Sequence, residues 1–271
     1  MKTKIDYHLH SMGSDGIFSP TELVTKAIKA GLKSICFADH YPLPSKIKDW
    51  GPKFGYVKEV NRVREKFKAK IQIAFGAEFD WLSKFKKWTA DEIKRADYDY
   101  IIGSIHFLPK NGEYISVAYG DDFRLAVRAF GGILPLVHEY YRQMRLMAKS
   151  GLFDGIGHFD LIKCYNKDSE FFLENKSWYQ EDVFGALEEI ARSRMCMEIN
   201  TSGWRVPVGI QYPSKWILEE ARKKNIPVTI GSDGHENVGW QVDKAAELAR
   251  EVGYNSVLVF NKRKRVEVPL N

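Results

Sequence analysis

The sequence predicts an α/β fold whose mainly parallel sheet closes as a TIM-like barrel, and three observations lead there. Short β-rich runs alternate with amphipathic stretches from one end of the chain to the other, the pattern of repeated βα units. Seven of those runs are strong strand candidates. Six of the seven histidines stand where such a run ends: His8 and His10 in KIDYHLH, His40 in SICFADH, His106 in YIIGSIHFL, His158 in DGIGHFD and His235 in VTIGSDGH. Strand ends of a parallel barrel converge on one face, so residues more than two hundred positions apart can meet there.

After KIDYHLH, Ser19-Pro20-Thr21-Glu22 opens a helix with a cap and a proline in the first turn, Leu23, Ala27 and Ile28 supply its apolar face, and Gly31 closes it. SICFADH is the second strand, followed by a Pro-rich loop (Tyr41 to Pro52) and the helix VKEVNRVREKFK. IQIAFGAEFD is the third strand and YIIGSIHFL the fourth. An insertion from Pro109 to Gly120 follows, then a helical stretch broken at Gly131-Gly132 and restarted near Pro135. Leu134, Val137, Tyr141, Met144 and Ala148 recur at three and four residues, which turns one helix face to the barrel. DGIGHFDLI, MCMEINT and NIPVTIGSD are strands five to seven, separated by the helices YQEDVFGALEEIARSR and YPSKWILEEARKKN. A last helix, VDKAAELAREVG, leads to SVLVFNKR, an eighth β-rich segment read as peripheral.

A length of 271 residues suits a single domain spanning the whole chain, since α/β barrels use about 250 residues. No repeat or linker divides it. Apolar residues make up 44% and no run approaches a membrane span. The first residues enter a strand at once, which leaves no room for a signal peptide and implies a cytoplasmic protein. Cys36, Cys164 and Cys196 are odd in number and widely spaced, as expected of buried thiols. The net charge of +6 is spread over Lys- and Glu-rich faces. Its one compact run, Lys262-Arg263-Lys264-Arg265, lacks interleaved aromatics and reads as a solubilising edge, so neither nucleic acid nor membrane is an expected partner.

The strand-end residues carry the chemistry. His8 and His10 are two apart in a strand, so both imidazoles face the same side and can share a metal. Glu78 in GAEFD and Asp233, two before His235, add carboxylates to the imidazoles, a donor mix that divalent metals take. These donors are too many for one ion, and a carboxylate such as Glu78 can bridge two. Two or three divalent ions per chain are implied, with zinc, manganese or iron all compatible. Such a centre lowers the pKa of bound water, and the metal-bridging hydroxide attacks a phosphate ester. His138 lies beside the apolar stripe of a helix and is assigned to structure, as are the Tyr140-Tyr141 and Trp178-Tyr179 pairs.

Over its whole length the chain resembles the PHP family, through HLHSMGSDG, FADH, GAEFD, GSIHF with GIGHFD, and GSDGH. The resemblance implies a distorted seven-stranded (β/α) barrel with a trinuclear metal centre. By position it implies that His8, His10, Glu78 and Asp233 hold a first metal, that Glu78, His106 and His158 hold a second, and that Asp15, His40 and His235 hold a third.

Two further segments, GHFDLIK and INTSGWRVPVGIQYPS, look like the histidinol-phosphate phosphatase branch of that family, which places cations there to bind the substrate phosphate. Carried over, this makes Lys163 and Arg205 substrate-binding residues: Arg205 as a bidentate fork, Lys163 as a point charge where the branch often has arginine. The implied activity is hydrolysis of a small phosphomonoester in histidine biosynthesis. A phosphodiesterase or 3′ exonuclease acting on nucleotides would share every metal ligand. The rival from another class is a non-catalytic, metal-stabilised scaffold domain.

Overall fold

The computed structural model describes residues 4–44, 56–118 and 120–270. In chain order they form β1 (Ile5–Leu9), α1 (Pro20–Lys29), β2 (Ser34–Phe37), α2 (Tyr56–Phe67), β3 (Gln72–Asp80), α3 (Lys86–Ile93) and β4 (Tyr100–Ser104). A hairpin of β5 (Phe107–Lys110) and β6 (Glu113–Ser116) comes next, then α4 (Gly120–Ala129), α5 (Ile133–Ser150) and β7 (Gly155–Ile156). The chain continues with α6 (Ser177–Ser193), β8 (Cys196–Asn200), α7 (Lys215–Lys223), β9 (Val228–Gly231), α8 (Val242–Val252), β10 (Ser256–Asn261) and β11 (Lys264–Pro269).

Seven of these strands form one sheet in the order β1-β2-β3-β4-β7-β8-β9, with every pairing parallel. The sheet curls until its first and last strands meet beyond their ends: Leu9 and Gly234 form a parallel bridge, with His10 N donating to Gly234 O and Gly234 N to His8 O, both at 3.1 Å. Parallel strands buried on both faces read as nearly continuous apolar runs, and β1, β2, β4, β7, β8 and β9 are buried at every residue. Helices cover the outside. Ser19 caps α1 in a reciprocal capping box with Glu22, Pro20 occupies its first turn, and Gly31 leaves it at φ +78. α5 restarts after Gly131-Gly132 and packs on α6 through buried Tyr141 and Tyr179, whose hydroxyls lie 3.0 Å apart.

Where the structure departs from the sequence pattern, backbone hydrogen bonding gives the reason. The fifth barrel strand keeps only Gly155–Ile156 of the expected DGIGHFDLI. His158 sits at φ +24 and gives its N–H to a side chain rather than to the ladder, and Leu161–Lys163 form a 3-10 turn. The insertion expected from Pro109 begins two residues earlier, as the β5–β6 hairpin. The loop expected from Tyr41 to Pro52 is described only as far as Pro44. The eighth β-rich segment stays outside the barrel sheet, pairing as β10 with β11 alone. From there Phe260 stacks on Tyr100 at 4.4 Å, beside Tyr7, and covers the barrel end opposite the histidines. Cys36, Cys164 and Cys196 are buried free thiols, and His138 pairs with Asp182 between α5 and α6. No helix among the described residues is long and apolar enough to cross a membrane.

Candidate metal centre

Six of the seven barrel strands, all but β8, deliver expected ligands at or near their ends, and the structure brings all nine onto one face. Glu78, near the end of β3 and 1% exposed, is the hub. Its Oε2 lies 3.3 Å from His8 Nε2, 3.6 Å from His10 Nε2 and 3.0 Å from His40 Nδ1. Its Oε1 lies 3.0 Å from His158 Nε2 and 3.8 Å from His106 Nε2. Asp233 Oδ1 is 3.3 Å from His10 Nε2, and Asp15 Oδ2 is 3.1 Å from His235 Nε2.

Three groups have ligand atoms within 4.8 Å of one another: His8, His10 and Asp233; His40, Glu78 and His106; and His10, Asp15, His40 and His235. His10 and His40 therefore each stand between two groups, a sharing that the position-by-position reading did not include. His158 reaches the centre through Glu78 Oε1 and through His106 Nε2, 3.1 Å away.

The donor set fits divalent cations. His8 Nε2, both ring nitrogens of His10 and Glu78 Oε2 are buried without a hydrogen-bond partner among the described residues, a costly arrangement unless an ion engages them. Burial alone would raise Glu78 and Asp233, but the surrounding imidazoles, His8 foremost, hold both carboxylates well below their usual range. Burial depresses His10 to about 3, helped by neighbouring His235, His40 and His8. Burial also opposes charge on His40, yet Glu78, Asp15 and Asp80 raise it to about 9. Ionised carboxylates packed among imidazoles are a binding site for positive charge.

Several residues that hold the ligands in place escaped the sequence reading. Glu198 in β8 lies 2.8 Å from His8 Nδ1, and Asp80 lies 2.9 Å from His106 Nδ1. Such carboxylates set the imidazole tautomer and leave the other nitrogen for a metal. Asp39 accepts from the backbone and hydroxyls of Ser11 and Ser14, and from the Tyr56 hydroxyl, which shapes the loop carrying Asp15. A signal existed: each is an acid inside or just after an apolar strand run, where a charge must find partners. Gly231 leaves room for the Glu198 carboxylate, since a Cβ there would lie 1.9 Å from Glu198 Oε1.

A cavity of about 340 Å³ opens beside the ligands, walled by Asp15, His40, His106, His158, Asp233 and His235, with Arg205, Ser202 and Tyr212 among its other residues. Arg205 donates through Nη2 to the carbonyls of Ser232 (2.9 Å) and Asp233 (2.7 Å) and lies over the Trp240 ring. The expectation for Lys163 needs correction. Its side chain is wholly buried outside the cavity wall, with Nζ 2.6 Å from Asp160 Oδ2 and donating to Ser214 Oγ and Gln211 O. Asp160 lies three residues earlier, in the turn that follows β7, and an unpaired carboxylate buried there would be costly. The cation is thus committed to the interior.

Residues 6–202 match the model of the PHP domain. The chain is 31% identical over 271 residues to the "Probable histidinol-phosphatase" of Deinococcus radiodurans, covering 96% of this chain and 97% of that one. It is 28% identical over 273 residues to the histidinol-phosphatase of Bacillus subtilis, covering 90% and 98%. Among solved structures, the histidinol phosphate phosphatase of Lactococcus lactis, complexed with zinc, L-histidinol and phosphate, superposes with a TM-score of 0.81 at 25% identity, covering 97% and 99%.

Proposed function

Because this chain belongs to the PHP domain family, we propose that it is a metal-dependent phosphomonoesterase that hydrolyses L-histidinol phosphate to L-histidinol and phosphate. The convergence of six histidines and two further carboxylates around Glu78, with buried ligand atoms that have no hydrogen-bond partner among the described residues, carries the proposal. The substrate is supported by end-to-end relatives named for that activity. A role in histidine biosynthesis and a cytoplasmic location belong to the same proposal.

Two or three divalent ions, when bound, supply positive charge for the phosphoryl oxygens and a water acidic enough to attack phosphorus near neutral pH. His8, His10, Glu78 and Asp233 would hold one, Glu78, His106 and His158 another, and Asp15, His40 and His235 a third. The protein's own task is to orient and neutralise. Arg205 has its Nη2 committed to two carbonyls, so its guanidinium is fixed in direction and its remaining N–H groups donate to the phosphate. The departing alcohol takes its proton from solvent, which reaches the cavity past the partly exposed Asp15 and His235.

A substrate panel on one metal-replete preparation tests the reading. We expect kcat/KM for L-histidinol phosphate to exceed that for a simple aryl phosphate, an aryl phosphodiester and a 3′-labelled oligonucleotide. A preference for the diester or the oligonucleotide would replace the monoesterase with a nucleolytic enzyme. Absence of turnover on all four by metal-loaded protein would leave a scaffold.

A further inference from the structure

We propose that Glu198 is a positioning residue that couples two parts of the metal centre: one carboxylate orients the ring of His8 and the backbone of His158, so that filling either part prepares the other. The inference rests on the metal-dependent reading above and adds a residue and a behaviour to it.

Glu198 stands in β8, between the strand that leads to His158 and the strand that leads to Asp233. Its carboxylate is buried, and its two oxygens face opposite duties. Oε1 lies 2.8 Å from His8 Nδ1, which leaves His8 Nε2 directed to Glu78. Oε2 accepts from His158 N at 3.0 Å and from Asn200 Nδ2 at 2.9 Å. Asn200 Nδ2 also lies 3.5 Å from Asp233 Oδ2. A single buried group thus touches two candidate ligands and reaches toward a third, Asp233, through Asn200.

The bond to His158 N matters because that residue is at φ +24, a conformation that non-glycine residues adopt at a cost. Anchoring its N–H keeps the side chain turned to Glu78 Oε1. Space for this arrangement is reserved by Gly231, where any side chain would run into Glu198 Oε1. Asp80 provides the contrast: among the described residues its carboxylate hydrogen-bonds only the His106 ring. Loss of Asp80 therefore disturbs one ligand, whereas loss of Glu198 disturbs ligands of both the His8 group and the Glu78–His158 pair.

The test compares metal loading of chelator-stripped wild type, Glu198→Gln and Asp80→Asn, titrated with Mn2+ by calorimetry, with bound metal counted by elemental analysis. Glutamine keeps an acceptor for His8 but turns an amide N–H toward the His158 and Asn200 donors. We expect Glu198→Gln to weaken at least two loading steps, each by about tenfold or more, and to separate steps that overlap in wild type. Asp80→Asn should weaken one step. Wild-type protein that loads two or more ions, with a Glu198→Gln titration unchanged within about threefold, overturns the coupling while leaving the proposed function standing. Weakening of one and the same step by both variants overturns it too. Wild-type loading of one ion or none overturns the multinuclear reading itself. If circular dichroism shows that stripped Glu198→Gln is unfolded, Asn200→Ala takes its place: weakening of two steps supports the coupling, and an unchanged titration overturns it.

Discussion

The Arg205 guanidinium donates to the backbone carbonyl of Asp233 at 2.7 Å, so the cation at the cavity and a carboxylate of the metal centre are held by one contact. The cation proposed to bind phosphate and the backbone that carries Asp233 are therefore mechanically linked in the loop after β9. A lysine at this position could not hold two carbonyls and still present a planar fork.

Arg205→Ala is expected to lower kcat/KM for L-histidinol phosphate by about one to two powers of ten, the equivalent of a lost charge-assisted contact of about 1.5 to 3 kcal/mol. Arg205→Lys should fall between. Steady-state kinetics on both variants check this, and wild-type values for Arg205→Ala would confine the residue to loop structure.

Protein purified without chelator should contain more than one divalent ion per chain, and stripping them should abolish turnover reversibly. Glu78→Gln should lower kcat by at least about three powers of ten while preserving the far-ultraviolet circular dichroism, since it removes the shared ligand and keeps the volume of the side chain. Elemental analysis of the same variant should show lost metal. Full activity with metal-free protein would end the metal-dependent model.

Loading should depend on pH in a definite direction. Burial opposes protonation of His8, His40, His106 and His235, but neighbouring carboxylates outweigh it and raise all four, His40 to about 9. An entering metal displaces those protons, so apparent affinity should rise with pH up to about 9, with protons released on binding. Calorimetry in buffers of differing ionisation enthalpy measures the release. An affinity flat from about pH 6 to about pH 9 contradicts the charge assignment.

Lys163→Met is expected to act on stability and not on phosphate recognition. It strands the Asp160 carboxylate in the interior, a loss of about 3 to 5 kcal/mol, visible as a lower melting temperature. KM for the phosphate ester should stay near the wild-type value in the folded fraction. A rise in KM with unchanged stability would return Lys163 to the substrate.

Local patterns carried much of this protein in advance. The seven barrel strands, the α1 cap, the break at Gly131-Gly132 and the peripheral place of the eighth β-rich segment follow from periodicity and from residues that start or stop an element. The metal-ligand candidates were legible because a histidine or acid at the end of an apolar strand run has few other uses. A parallel barrel gathers all such ends on one face, so alignment in sequence becomes proximity in space. The truncation of β7 was not legible, since it depends on His158 N–H finding Glu198 instead of a neighbouring strand.

The sequence by itself determined the barrel and the donor chemistry of its open end, because both rest on residue type and spacing along single strands. Only the tertiary structure decided how that chemistry is supported. Glu198 and Asp80 became orienting carboxylates through partners on other strands, and Lys163 turned inward because packing set Asp160, Gln211 and Ser214 around its ammonium. A charged residue beyond a strand end has the same local signature whether it faces ligand or interior. Long-range packing chooses between them, since burial is tolerated only where the fold supplies the opposite charge and the hydrogen bonds.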